Sequence, residues 1–299
     1  MSAEPAPGSF LRPAVEILRP KHWVKNVFVF AALVFAGKLG DQGALLRALG
    51  AFACFCALSS AAYVFNDISD READRLHPVK RRRPVASGAL SVGAAALLAI
   101  GLAAGALLGS LALGGPFCAV ATTYLLMNLA YSLLLKRIVI LDVMVVAAGF
   151  LLRAWAGAVV LGVEMSHWLA LCTGLLALFL GFVKRRQEIE VLEGATVQRP
   201  ILREYSLPFL DQLISVVTAS TVLAYSLYAF SPEVAKRLGT NHFGLTIPFV
   251  LYGVFRYLYL VHRRGEGENP TLLVLSDLPL LANVVLWGAS VLVALYAWH

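Results

Sequence analysis

AFACFCALSSAAYVFNDISDREADRL, residues 51–76, changes character within one residue. Up to Phe65 it is apolar and rich in small side chains; from Asn66 onward it is dense in carboxylates. The apolar part belongs to a run over 44–65, long enough to cross a hydrocarbon core of about 30 Å as a helix. Continued past Asn66 at the helical period, the chain sets Asp70, Asp74 and Asp67 at about 40°, 80° and 100° from Asn66. One amide and three carboxylates then share one helix face. Carboxylates so close raise each other's pKa unless a cation sits among them. Hard oxygen ligands suit Mg²⁺, which accepts the rest of its shell from water or phosphate. The plainer alternative is a solvated helix end with local pairs to Arg71 and Arg75.

Outward from this stretch the same apolar character recurs. The chain has 299 residues, 59% of them hydrophobic and only 14% charged, with a mean hydropathy of +0.76. That is too little charge to cover a soluble surface. The apolar runs are continuous rather than alternating, which favours helices over a barrel. The expected architecture is all-α and polytopic, with about nine transmembrane helices at 26–42, 44–65, 89–109, 113–134, 139–161, 167–183, 209–230, 243–261 and 279–298. Residues 1–22 read as a cytoplasmic N-terminal segment with no cleavable signal peptide, and 23–299 as a single membrane domain. Residues 1–16 read as poorly ordered, and 262–275 as a mobile Gly-rich loop. Cys54, Cys56, Cys118 and Cys172 all fall in apolar runs and read as small buried hydrophobes.

Positive charge orients the chain. With the N-terminus inside, the cytoplasmic segments hold Arg12, Arg19, Lys21 and Lys25, then Arg71, Arg75, Lys80, Arg81, Arg82 and Arg83. Lys136, Arg137, Lys184, Arg185, Arg186, Arg199, Arg203, Arg263 and Arg264 complete nineteen of the 25 Lys and Arg. The opposite side holds Lys38, Arg47, Lys236 and Arg237. The net charge of +7 is therefore first a topological signal, then a field that draws anions to the cytoplasmic face. No interleaving of aromatic and basic residues on a soluble surface points to nucleic acid.

The long connections, 66–88, 184–208 and 262–278, fall on the same side, so the chemistry is expected at the cytoplasmic helix ends. Lys80-Arg81-Arg82-Arg83-Pro84 follows the carboxylates closely. Alone it is a positive-inside anchor; beside bound metal it suits surplus anionic oxygen. Lys184-Arg185-Arg186-Gln187-Glu188-Ile189-Glu190 ends the sixth run, either as i,i+4 pairs on a wet helix end or as a second phosphate-binding face. Tyr131 and Lys136 end the fourth run, with Asp142 soon after. Arg153 lies inside an apolar run, where a cation faces a cavity or a partner; Asp142 is too far along the helix to be that partner.

Asn66-Asp67-x-x-Asp70-x-x-x-Asp74 resembles the first aspartate-rich motif of the UbiA superfamily of membrane prenyltransferases. The resemblance covers nearly the whole chain. It implies nine helices around a central cavity opening to the cytoplasm, with Mg²⁺ held by Asn66, Asp67, Asp70 and Asp74 against a substrate diphosphate. One departure matters: a second aspartate-rich motif is usual at the end of the sixth helix, where this chain has Lys184-Arg185-x-x-Glu188. That looks like the decaprenyl-phosphate phosphoribosyltransferase branch, as do Leu18-Arg19-Pro20-Lys21-x-Trp23-x-Lys25-Asn26, His77 to Arg81, Arg153-Ala154-x-Ala156-Gly157, Pro248-Phe249 and Arg256-Tyr257. The branch implies a phosphoribosyl pyrophosphate donor, a polyprenyl (decaprenyl-like) phosphate acceptor and a role in cell-envelope glycan synthesis, in a bacterial cytoplasmic membrane.

On this resemblance Asp67, Asp70, Asp74, Lys184 and Glu188 are the catalytic candidates. Lys25, Asn66, Lys80, Arg81, Arg82, Tyr131, Lys136, Arg153 and Arg185 are the substrate-binding ones. Arg81 and Arg82 would cover the diphosphate, Lys136 the acceptor phosphate, and Lys184, Arg185 or Arg153 the 5-phosphate or lipid phosphate. Glu188 would meet the ribose hydroxyls or position Lys184. His77, before a proline, reads as structural. Two other readings stay open: a prenyltransferase using a prenyl diphosphate and an aromatic or other acceptor, and a non-enzymatic carrier of an anionic lipid. Basic residues where a second metal site would need carboxylates weigh against the first; charge at one face rather than the midplane weighs against the second. The reading allows a homo-oligomer.

Overall fold

The computed structural model describes residues 11–192, 200–264 and 270–296, and these form helices and turns with no strand among them. Among the described residues, eight helical segments are long and apolar enough to cross a membrane: Gln42–Ser69, Val92–Leu113, Gly115–Leu133, Leu141–Val160, His167–Glu190, Leu207–Phe230, His242–Arg263 and Leu278–Tyr296. The chain is an integral membrane protein. Eight of the nine expected runs match these segments within a few residues at most ends; the sixth runs further than expected, into the charged stretch after Val183.

The exception is the first run, 26–42. It is not one long α-helix. After the short helix α1 (Leu11–Leu18), Pro20–Phe30 winds as a 3₁₀ helix and continues as α2 (Ala31–Phe35). A 3₁₀ helix rises about 2.0 Å per residue against 1.5 Å for an α-helix, so these sixteen residues reach about 30 Å. A window that assumes α-helical rise undercounts such a segment. Three residues per turn also stacks every third side chain, and Trp23, Asn26 and Val29 form the column that faces protein. Trp23 Nε1 donates to Ser60 Oγ at 3.0 Å, Asn26 Nδ2 donates to Ser59 Oγ at 3.2 Å, and Val29 is fully buried.

The chain forms two compact units: 1–33, 41–138 and 152–164 in the first, 34–40, 139–151 and 165–299 in the second. At the centre of the first lies α3 (Gln42–Ser69), packed on the 3₁₀ helix, α6 (Val92–Leu113) and α7 (Gly115–Leu133). Its N-terminus is capped by Asp41, which accepts from the Ala44 N–H at 3.0 Å. Small buried residues (Ala48, Ala51, Ala61) let the neighbouring backbones approach, the usual basis of helix association in lipid. Between α3 and α6 come α4 (Arg71–Leu76), a 3₁₀ turn at Lys80–Arg82 and α5 (Pro84–Ser87), so the expected long connection is itself mostly helical. Ile17, Val64, Val85, Leu90 and Ala95 form a core beneath it. The cysteines are free thiols, and Cys54 and Cys56 are buried.

α8 (Leu141–Val160) begins in the second unit and ends in the first. Its Gly157 meets the 3₁₀ helix so closely that a Cβ there would lie 1.9 Å from the Val29 carbonyl oxygen. The second unit continues with α9 (His167–Leu192), α10 (Leu207–Phe230), α11 (Pro232–Leu238), α12 (Ile247–Arg264), α13 (Pro270–Ser276) and α14 (Leu278–Tyr296). Phe179, Phe182, Leu210, Ile214, Tyr257 and Leu260 are part of its core. The loop expected over 262–275 is partly helix, at the end of α12 and in α13; residues 265–269, with the Gly-rich sequence, lie outside the described residues, as do 1–10. The rest of the N-terminal stretch expected to be poorly ordered forms α1.

Gly157→Ala is expected to destabilise the protein by about 1–3 kcal/mol or to prevent folding, because the contact is with backbone and cannot be relieved by a rotamer change. Gly101→Ala, where an added Cβ meets nothing within 4 Å, should be neutral or mildly stabilising. Thermal melting of the two variants in detergent separates these outcomes.

Candidate active site

The carboxylate stretch does not continue α3 unbroken. Asp70, with φ −95° and ψ 5°, ends α3 and begins α4. The break is slight: the Asp70 N–H still donates to Asn66 O and the Asp74 N–H to Asp70 O, so the four polar side chains stay on consecutive turns. They divide into two pairs, each with its own cation. Asn66 and Asp70 share Lys136, whose Nζ lies 2.5 Å from Asp70 Oδ1 and 3.4 Å from Asn66 Oδ1, while Asn66 Nδ2 donates to Asp70 Oδ2 at 3.0 Å. Asp67 and Asp74 share Arg83, whose Nη1 lies 3.0 Å from Asp67 Oδ1 and 2.6 Å from Asp74 Oδ2. Asp67 Oδ1 also accepts from Arg19 Nη2 at 2.5 Å. Asp67 and Asp74 are buried, and Asp70 is partly exposed. Burial raises the Asp74 pKa, against the lowering effect of Arg83 and Lys80.

Irregular backbone delivers each of the three cations. Arg19 sits at φ 52°, ψ 59°, left-handed for a residue with a side chain, with its guanidinium over the Tyr63 ring at 5.1 Å. Arg83 precedes Pro84, which holds it at φ −59°, ψ 145° and turns it out of the 3₁₀ turn formed by Lys80, Arg81 and Arg82. Lys136 lies in the 3₁₀ turn Leu135–Arg137 after α7, whose last helical turn carries the half-buried Tyr131. Arg81 and Arg82, expected to cover the ligand, are exposed and make no ion pair with the carboxylates; Arg83 does. His77 has a structural part: its Nδ1 accepts from the Val79 and Lys80 N–H groups.

Arg153 is buried and held by protein. Its Nε donates to Asn26 Oδ1 at 2.6 Å and its Nη2 to the Tyr124 hydroxyl at 2.7 Å, with the guanidinium over the Tyr124 ring. It therefore fixes the inner column of the 3₁₀ helix. On that helix sits Lys25, half-buried and with no ion pair to a carboxylate among the described residues.

The second unit carries the other charged cluster, on the last turns of α9. Arg185 is buried; its Nε donates to Asp142 Oδ2 at 2.6 Å and its Nη1 to Glu188 Oε2 at 2.5 Å. Arg186 pairs with Glu190 and with Asp211 of α10. Lys184 and Glu188 are half-buried. Tyr205, which no sequence signal marked, donates to Asp142 Oδ1 at 2.7 Å and accepts from the Ile140 N–H at 2.6 Å. Burial, and the bond to Asp142, raise the Tyr205 pKa. Ile140 has φ 67°, a rare conformation for a β-branched residue, and Tyr205 pins it. A groove of 610 Å³ beside α10 and α12, lined by Ile214, Val222, Leu223, Phe255 and Leu258 among others, holds none of the expected site residues.

The donor chemistry around Asp67 fits Mg²⁺: hard oxygens on consecutive turns, with Asp67 Oδ2 and Asp74 Oδ1 accepting no hydrogen bond from the described residues. No group of three acidic, His or Cys side chains among the described residues converges on one point, because protein cations stand between the carboxylates. Both clusters carry cations of the type that suit anions, and the first also carries hard oxygens of the type that suit a hard cation.

The sequence matches the UbiA prenyltransferase family over residues 26–273. A Corynebacterium glutamicum protein named decaprenyl-phosphate phosphoribosyltransferase is 35% identical over 289 residues, covering 94% of this chain and 86% of that one. A Mycolicibacterium smegmatis protein of the same name is 32% identical over 303 residues, covering 97% and 94%. Among solved structures, a UbiA homolog from Archaeoglobus fulgidus bound to GPP and Mg²⁺ superposes with a TM-score of 0.72 at 19% identity, covering 95% of this chain and 99% of that one.

Proposed function

The chain belongs to the UbiA prenyltransferase family, and on that premise we propose that it transfers 5-phosphoribosyl from phosphoribosyl pyrophosphate to a decaprenyl-like polyprenyl phosphate, releasing diphosphate. The observation that carries this reading is the cluster on α9. Where the family resemblance implies a second carboxylate motif for an enzyme that uses a prenyl diphosphate, α9 carries Lys184, Arg185 and Glu188. The names of relatives at 32–35% identity over most of the chain support it. The membrane of action is the bacterial cytoplasmic membrane, with the N-terminus and the site toward the cytoplasm; the concentration of Lys and Arg in the segments on that side supports this.

In the proposed reaction an oxygen of the lipid phosphate forms a bond to ribose C1. The bond from C1 to the diphosphate oxygen breaks, and its electron pair leaves with diphosphate. The acceptor is already an anion, so no general base is needed. Mg²⁺, when bound by Asp67, Asp70 and Asp74 with Asn66, supplies charge that offsets the leaving diphosphate. Lys25, a cation with no carboxylate partner among the described residues, takes a phosphate, and Arg153 positions it by fixing Asn26 on the same helix. Lys136 holds Asn66 and Asp70 in register and meets the acceptor phosphate. Tyr131, Lys80, Arg81 and Arg82 provide outer contacts to the anions. Lys184 and Arg185 serve the 5-phosphate, and Glu188 the ribose hydroxyls. Catalysis in this scheme is positioning and neutralisation of two anions about a cation-like ribosyl centre.

The test uses detergent-purified protein, Mg²⁺, polyprenyl phosphate and phosphoribosyl pyrophosphate labelled in the ribose. Label should enter the lipid phase. Asp67→Asn should lower transfer about a hundredfold or more, the scale of losing one contact to developing charge. No transfer, with turnover instead of a prenyl diphosphate and an aromatic acceptor, would make the chain an ordinary prenyltransferase. Glu188→Gln should raise the donor KM or lower kcat without loss of folded protein; unchanged kinetics would reduce the α9 cluster to a solvated helix end.

A further inference from the structure

The cation shared by Asp67 and Asp74 stands where a metal would bind. Arg83 Nη1 lies 3.0 Å from one carboxylate and 2.6 Å from the other, bridging side chains seven residues apart. Arg19 reinforces it on Asp67, and Lys136 does the same for Asp70. Three carboxylates and three cations leave this group formally neutral. A divalent cation must compete with Arg83 for the same oxygens, and with all members in place the group would then carry a formal charge of +2. Metal alone is thus disfavoured, whereas metal arriving with a polyanion is not.

Arg83 is equipped for the exchange. A guanidinium has five N–H donors, and Nη1 supplies only two. Nε and Nη2 make no hydrogen bond to the described residues, and the side chain keeps 25% of its surface exposed. Those donors form the edge that fits a phosphate bidentately. Arg75, a neighbouring guanidinium on α4, is committed to Ala86 O and Glu72.

We propose that Arg83, assisted by Arg19, is an exchangeable counter-ion. It holds Asp67 and Asp74 when no metal is bound, and moves to the anionic oxygens of the diphosphate when the metal takes those carboxylates. This deepens the reading of Asp67, Asp70 and Asp74 as a metal–diphosphate site and rests on it. Metal and diphosphate are then coupled: each binds weakly alone and strengthens the other by the same factor.

The experiment is equilibrium dialysis of Mn²⁺ against the purified full chain, with and without inorganic pyrophosphate, reading protein-associated metal. Wild type should bind Mn²⁺ weakly alone and more tightly with pyrophosphate. Arg83→Gln should bind Mn²⁺ alone about tenfold more tightly, because its competitor is gone, and should lose most of the enhancement by pyrophosphate. Arg83→Lys, which keeps the charge but not the fork, should match wild type with Mn²⁺ alone and show a smaller enhancement. A folded Arg83→Gln that binds Mn²⁺ alone no more tightly than wild type overturns the exchange. Should that variant melt below the working temperature, Arg19→Gln gives the same reading, since Arg19 shares Asp67 Oδ1. If no form of the protein binds Mn²⁺ even with pyrophosphate, the metal reading of the site falls, and the exchange falls with it.

Discussion

Three carboxylates crowded at one helix end must be neutralised, and much of the first unit's irregular backbone is arranged around that requirement. Arg19 reaches Asp67 from a left-handed residue, Arg83 from the extended position before a proline, and Lys136 from a 3₁₀ turn. A regular helix presents its side chains at fixed intervals, and none of these three cations lies on α3 or α4. Each comes from another part of the chain, at a place where that part departs from α-helical geometry. Of the three, only Arg19 is strained, at φ 52°, which costs about 1–3 kcal/mol and persists where surrounding contacts over-determine it.

The second unit meets a similar requirement differently. Arg185 lies between Asp142 and Glu188, and Tyr205 completes the contacts of Asp142 while holding the strained turn at Ile140. Losing Asp142, its fully buried member, would leave the buried Arg185 short of compensating charge. Glu188 keeps 18% of its side-chain surface exposed, and in the first cluster Asp70 and Arg83 remain about a quarter exposed.

Much of this was legible in the sequence. Hydropathy placed eight apolar segments, because length and composition are what a bilayer constrains. The angular positions of Asn66, Asp70, Asp74 and Asp67 set the four on one face, but not their division into two pairs: Asp70 and Asp74 are also neighbours on the arc, and they share no cation in the structure. What escaped was whatever depends on contacts distant in sequence. The one local feature that separates Arg83 from Arg81 and Arg82 is the proline after it, and nothing local shows that it reaches the carboxylates. Arg19 was visible as a contributor to topology and within a segment that carries the family resemblance, but nothing tied it to Asp67. Arg153 read as a cation facing a cavity or a partner; which partners it meets was not readable, since Asn26 and Tyr124 lie 127 and 29 residues away. Tyr205 carried no local mark at all.

The winding of Pro20–Phe30 sets a length as well as a face. Eleven residues wound as an α-helix would be about 5.5 Å shorter than the same residues wound as a 3₁₀ helix. Val29 is fixed at one end by its close approach to Gly157, and Arg19 meets Asp67 just beyond the other. Rewinding would draw Arg19 off its carboxylate and turn Asn26 away from Ser59 and Arg153. The segment thus acts as a spacer gauged by its helical pitch. Its side chains hold it in the stretched form, and the stretched form in turn keeps a cation within reach of the site.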